Sequence, residues 1–165
     1  MRRADNFLIA IVVGVVLLAG AAFAVAILQP APEYRPDDSP EGVAHNYLLA
    51  LQQDNYERGY GYLDPSISGY PETLEQYEQD VREYGSNFRA NDSVSLEVLR
   101  AEVRATGATV EVGETVFYSS GPFDSGEFTN TFEMELARGG AGGSWKIRES
   151  QQYWAWCWNQ EGGCP

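Results

Sequence analysis

The chain is poor in the residues that carry most protein chemistry. Its 165 residues include a single histidine, His45, a single lysine, Lys146, and two cysteines, Cys157 and Cys164. One histidine cannot form a dyad or the histidine-rich ligand set of a catalytic zinc site. No serine-nucleophile, phosphate-loop or zinc pattern occurs. Neither a metal nor a cofactor is therefore expected. Basic side chains are also scarce, 11 against 24 acidic ones, for a net charge of −13 and a pI of about 4.3. A phosphate backbone is bound by clusters of Lys and Arg, so nucleic acid is excluded as a partner. The same deficit argues against attraction to anionic lipid. So acidic a surface favours solubility.

One long apolar run is present. Phe7 to Leu28 contains no charged or strongly polar side chain. As a helix it would extend about 33 Å, against about 30 Å of bilayer hydrocarbon. Arg2 and Arg3 precede it, and Glu33, Asp37, Asp38 and Glu41 follow. The positive-inside rule then reads residues 1–6 as a short cytoplasmic end, 7–28 as a transmembrane signal anchor, and the rest as lying outside the cell membrane. The competing reading is a cleaved signal peptide, since Ala22-Phe23-Ala24 fits a small-x-small cleavage site. Against it, the apolar run continues through Val25, Ala26, Ile27 and Leu28. No cysteine lies nearby, so a lipoprotein anchor is excluded.

Residues 29–38 are proline-rich and read as a semi-extended tether. A domain over 39–150 follows. Ser39-Pro40-Glu41 has the signature of a helix start, and Val43, Tyr47, Leu48 and Leu51 fall on one helical face. Asp54 can cap a second short helix carrying Tyr56, Tyr60 and Leu63. Pro71 is placed to open a third, with Leu74, Tyr77, Val81 and Tyr84 on one face and Gly85 as its C-cap. The opposite face carries Glu72, Glu75, Glu78 and Glu83, without the spacing of a calcium loop, and reads as solvated. From Ser93 the period changes to two. Val94, Leu96 and Val98 alternate, then Leu99, Ala101 and Val103 do so on the other parity, which predicts a β-bulge near Val98 or Leu99. Val110 to Tyr118, Phe128 to Leu136, and Trp145 with Ile147 supply three more strands, joined by the stretch from Ser119 to Glu127 and the loop Gly139–Gly143. The expected fold is α+β: the transmembrane helix, then three helices packed on a strongly curved antiparallel sheet of about four strands.

The stretch from Ser39 to Ser66 resembles the opening of the nuclear transport factor 2-like superfamily. There a helix ends in an alanine-leucine pair, here Ala50-Leu51, before a polar break and an aromatic, here Asp54-Asn55-Tyr56. Ser144 to Ser150 resembles the closing strand of that family. The resemblance covers residues 39–150 and implies a cone of curved sheet closed by helices. Gly59 departs from it, standing where the family usually has a small helix former, at a cost of about 1 kcal/mol to the second helix. The superfold hosts enzymes, carriers and assembly modules, so it implies no single function.

Candidate site residues are few. His45 falls off the apolar face of its helix and reads as solvent-facing. Tyr60 and Tyr77, with Tyr47 and Tyr84, could line a cone pocket or fill a core. Glu114 interrupts the apolar parity between Val112 and Val116. It is either a buried carboxylate, the usual form of a general base, or a residue at a bulge or strand edge. The last stretch, 151–165, reads as a Trp-rich, disulfide-stapled extension. If the strand from Trp145 ran on unbroken, Trp154, Trp156 and Trp158 would point outward with Lys146 and Arg148. Burying them is worth on the order of 10 kcal/mol as an upper bound. Either the register breaks near Ser150–Gln152, or the three cover a second apolar surface, a partner or a ligand. Cys157 and Cys164 close a short loop through Gly162-Gly163, and a disulfide there is expected.

The leading expectation is a membrane-anchored, extracytoplasmic and non-catalytic domain that binds a protein partner or a small apolar ligand. The resemblance extends to bacterial envelope modules such as the periplasmic domains of type IV secretion and conjugation assembly factors. A homo-oligomer and a stand-alone surface module are further possibilities. The alternative from another class is an isomerase- or dehydratase-like enzyme, as in the ketosteroid isomerase-like members, using the cone.

Overall fold

The computed structural model describes the backbone of residues 2–28, 32–85, 94–121, 124–139 and 143–165. The chain divides into two units, Met1–Glu33 and Tyr34–Pro165.

The first unit holds one helix, α1, Arg2–Leu28. Among the described residues no helix is long and apolar enough to cross a membrane. The transmembrane anchor expected over 7–28 is therefore corrected.

The second unit is α+β, with three helices, α2 (Pro40–Gln52), α3 (Tyr56–Gly61) and α4 (Leu74–Tyr84), followed by four strands, β1 (Val94–Val103), β2 (Gly107–Gly121), β3 (Asp124–Arg138) and β4 (Trp145–Ser150). The strands form one antiparallel meander in the order β1-β2-β3-β4. The expected bulge is present, as a register shift between Val98 and Arg100. Val110, Val112, Phe132, Met134, Leu136 and Ile147 alternate onto the inner face of the sheet, where they meet the apolar sides of the helices in a single core. Ser93, where the period of two is expected to begin, the centre of the Gly139–Gly143 loop and residues 122–123 of the β2–β3 connection lie outside the described residues, as do residues 29–31.

Helix starts follow side-chain caps. Ser39 Oγ accepts from Gly42 N at 3.0 Å, with Pro40 in the first turn. α3 is capped by Asn55, not Asp54, whose backbone is left-handed at φ 53°. α4 begins at Leu74 after Thr73, whose hydroxyl accepts from Gln76 N at 3.1 Å, rather than at Pro71. The Pro71 carbonyl instead accepts the Tyr60 hydroxyl at 2.8 Å. Gly85 ends α4 in extended backbone, φ −79° and ψ 125°, because it pairs with Ala155 in an isolated bridge instead of turning.

The proline-rich segment is not a tether from Tyr34 onward. Asn46 on α2 is fully buried. Its Oδ1 accepts from Arg35 N at 2.7 Å, and its Nδ2 donates to Arg35 O at 2.7 Å and to Asp37 Oδ1. A Cβ at residue 42 would collide with the Pro36 carbonyl, so a glycine lets the segment lie against α2. The Arg58 guanidinium lies 3.5 Å from the centre of the Tyr34 ring, and the Tyr62 hydroxyl donates to Asp37 at 3.0 Å.

Asn46→Ala removes three hydrogen bonds from a buried amide and leaves two backbone groups without their partners. We expect a loss of about 2–3 kcal/mol in urea unfolding. A loss under 0.5 kcal/mol would show that the segment is not held by Asn46.

Candidate functional site

The tryptophan-rich end is built into the core. β4 stops at Ser150, whose hydroxyl donates to the Gln152 carbonyl at 2.6 Å, and Tyr153 takes left-handed backbone at φ 57°. That turn ends the alternation of the strand. Tyr153, Trp154, Ala155, Cys157 and Trp158 go inward, and Trp156 alone of the three tryptophans stays out, 55% exposed. A short 3-10 turn, Trp156–Asn159, sets Trp154 and Trp158 on one side. The register break thus replaces the outward stripe that an unbroken strand would give.

Trp158 is fully buried. It stacks on Tyr77, with ring centres 5.4 Å apart, and meets Trp154 edge-on at 4.8 Å. Its Nε1 donates to Asp80 Oδ2 on α4 at 2.8 Å. Trp154 Nε1 donates to Asn159 Oδ1 at 2.9 Å. Burial pushes the Asp80 carboxyl above the usual carboxylate range; the Trp158 bond opposes this and Glu83 adds to it. Cys157 and Cys164 form a disulfide. Its loop turns through Gly162 and Gly163 at φ 95° and 71°. The loop lies so close to Gly69 that a Cβ there would sit 2.6 Å from Cys157 O and 2.7 Å from Gly163 Cα. Gly69 N donates to the Trp158 carbonyl at 2.9 Å.

The tyrosines divide between core and surface. Tyr47 and Tyr77 are fully buried, and burial raises both phenols. Tyr47 Oη donates to the Tyr153 carbonyl at 2.8 Å. The Tyr77 hydroxyl is the one buried side-chain polar atom without a hydrogen-bond partner among the described residues. It stands over Gly59, where a Cβ would come within 2.7 Å of it. That contact explains the departure at Gly59, since the space a methyl would take holds the Tyr77 phenol. Tyr60 stacks on Tyr70 with ring centres 5.5 Å apart and is half-buried. The remaining exposed aromatic of the tail, Trp156, lies edge-on to Tyr84 at 6.1 Å. His45 is half-buried on α2.

Glu114 lies at neither a bulge nor an edge. It sits on β2 between Leu96 of β1 and Asn130 of β3 and is 7% exposed. The Tyr153 hydroxyl donates to its Oε1 at 2.6 Å, and burial, with Glu114 beside it, raises that phenol. The tail therefore supplies both the core indole and the partner of the buried carboxylate, and Phe132 packs against Tyr153 at 5.7 Å. Glu114 and Tyr153 come together across 39 residues. The pairing had no signal in the sequence, because it depends on the turn at Tyr153. Trp154 and Trp158 meet each other in the core, whereas Trp156 lies outside it against Tyr84.

Among the described residues no group of acidic, cysteine or histidine side chains could hold a metal ion. Two surface clefts of about 300 Å³ are present, one on the outer face of the sheet beside Arg100 and Glu133, the other beside Ser66, Arg148 and Asn159. In the second, Arg148 is already engaged by Asp64 at 3.1 Å and by Ser66 at 3.0 Å.

No family model matches the chain, and no curated protein matches it. Among solved structures, a SEC-C motif containing protein from Rhodopseudomonas palustris aligns with a TM-score of 0.46 at 17% identity, over 72% of this chain and 81% of that one. AclR from Streptomyces galilaeus, a proposed hydroxylase, aligns with a TM-score of 0.37 at 12% identity, over 66% of this chain and 73% of that one. Likeness at this level carries nothing over to this chain.

Trp158→Ala opens a cavity in the core and should cost about 3–5 kcal/mol in chemical denaturation, whereas Trp156→Ala should stay within about 0.5 kcal/mol of the parent. Equal losses from the two would mean that the tail is not docked as described. Asp80 generates a pH effect. Its folded pKa is raised above the unfolded one, so its ionisation disfavours the fold once pH rises through the folded value. Asp80→Asn keeps an acceptor for Trp158. It should therefore be more stable than the parent at pH 7, with the difference fading as pH falls toward the ordinary value of 3.8. Thermal melts of both proteins across that range read the sign.

Proposed function

We propose that the 34–165 unit is a non-catalytic binding module of the nuclear transport factor 2-like kind, taking a protein partner or a small apolar ligand on its surface. The observation that carries this reading is the filling of the interior. Tyr47, Tyr77, Met134, Ile147 and Trp158 occupy the space between helices and sheet, and all are fully buried. A side chain that lines a reaction pocket is reached by solvent; these are not. The disulfide suits an oxidising compartment, so the module works outside the reducing cytoplasm, and the envelope role suggested by the sequence resemblance remains part of this reading. Exposed Trp156, set against half-buried Tyr84, is the aromatic through which a protein partner would be held, as aromatic anchors dominate such contacts.

A second reading rests on one observation. Glu114 and Tyr153 form a carboxyl–phenol pair at 2.6 Å, the material of an isomerase- or dehydratase-like site. If that reading holds, Glu114→Gln abolishes a turnover that the parent shows.

Photo-crosslinking in the producing cell tests the first reading. A photoreactive residue at position 156 should give an adduct of defined mass, and one at the exposed Glu75 should not. The protein-partner form fails if position 156 gives none. Native mass spectrometry of the purified protein then decides for a bound small ligand, and a bare protein there would sink the reading altogether.

A further inference from the structure

The inner face of the sheet changes character at Glu114. On one side, the rung Val112–Phe132 is buried under the helices. On the other, Asn130, Phe128 and Tyr118 are exposed, Phe128 at 49% and Tyr118 at 50%, although the alternation places them on the same inner face. Side chains two residues apart along a strand lie about 7 Å apart. The face therefore runs from a buried carboxylate to an aromatic surface over about 7–14 Å.

That surface is constructed. The Tyr118 ring crosses onto the neighbouring strand above Gly126, where any Cβ would collide with it. It meets Phe128 with ring centres 6.5 Å apart. Half-buried Val116 pairs with Phe128 between these rings and Glu114.

Among the described residues no basic side chain pairs with Glu114, and the group that faces it is the neutral phenol of Tyr153. A buried carboxylate is ordinarily matched by a cation or by several donors. Aromatic faces attract cations as well, and a net charge of −13 raises the local concentration of cations generally.

We propose that this uncovered end of the inner face binds an organic cation with an apolar body, its ammonium on Glu114 and its body along Val116, Phe128 and Tyr118. The proposal rests on the reading of the unit as a binding module and names the chemistry of one ligand class. A neutral apolar molecule would leave the carboxylate unmatched. An inorganic cation would leave the rings unused.

The probe is 4-phenylbutylamine, titrated into the full chain at pH 7 by calorimetry, with 4-phenylbutan-1-ol as the neutral counterpart. The amine should bind saturably and at least ten-fold more tightly than the alcohol. Glu114→Gln keeps an acceptor for Tyr153 and should weaken the amine at least ten-fold while leaving the alcohol unchanged. Phe128→Ala, at an exposed position, should weaken both several-fold and serves if the Glu114 variant does not fold. Glu135→Gln, an acidic residue on the outer face, should change nothing. The proposal is overturned if the alcohol binds as well as the amine, if amine binding does not saturate, or if Glu135→Gln weakens it as much as Glu114→Gln. Chemical conversion of the bound amine would instead overturn the non-catalytic reading and leave the cation site standing.

Discussion

The fold closes around the Trp158 indole. Its nitrogen is bonded to Asp80 on α4, its face lies on Tyr77 and its edge meets Trp154. The Trp158–Asp80 bond spans 78 residues of sequence, so the core is complete only when the last stretch of chain has returned to the helices. Such a long closure costs entropy before it yields contact. The Cys157–Cys164 disulfide works on a shorter scale. It shapes a small ring that rests on Gly69, and a pre-shaped ring loses less freedom when it docks.

Filling the interior with tryptophan and tyrosine has a chemical consequence. The hydroxyls and the indole nitrogens that enter the core are engaged in holding it, through the Tyr153 carbonyl, Asp80 and Asn159, with the Tyr77 hydroxyl left over above Gly59. Glu114 marks the rung where this filling ends. Its position between closed and open halves of one sheet face makes it a boundary residue, with Tyr153 on its buried side and exposed aromatics beyond it. Proteins bind ligands at such boundaries because an apolar surface and a poorly solvated polar group are available together.

Much of the second unit was legible as a pattern. The helix over 40–52 followed from Ser39-Pro40 and a period near 3.6, and the strands from a period of two, including the bulge at Val98, where the parity slips. Local signals misplaced the caps by one to three residues, as at Asn55 and Thr73, because several polar residues compete for each helix start. The apolar run at the N-terminus was legible as a helix, yet no helix among the described residues is long and apolar enough to cross a membrane. Segment 34–38 looked like free linker, since nothing in its composition announces that Asn46 will bind it. Gly59 looked like a flaw in a helix until the Tyr77 phenol was seen above it.

Sequence by itself determined the element types, the order of helices before sheet, the cysteine pair and the poverty of catalytic side chains. These follow from periodicity, composition and loop length, which are local properties of the chain. Tertiary structure alone decided which tryptophans are inside. Tyr153, in left-handed backbone, ends the alternation of the strand, and the 3-10 turn that follows lets Trp154 and Trp158 join Tyr153, Ala155 and Cys157 in the core while Trp156 stays out. It also decided that Glu114 would face a phenol, because that contact joins two strands' worth of distant sequence through the same turn.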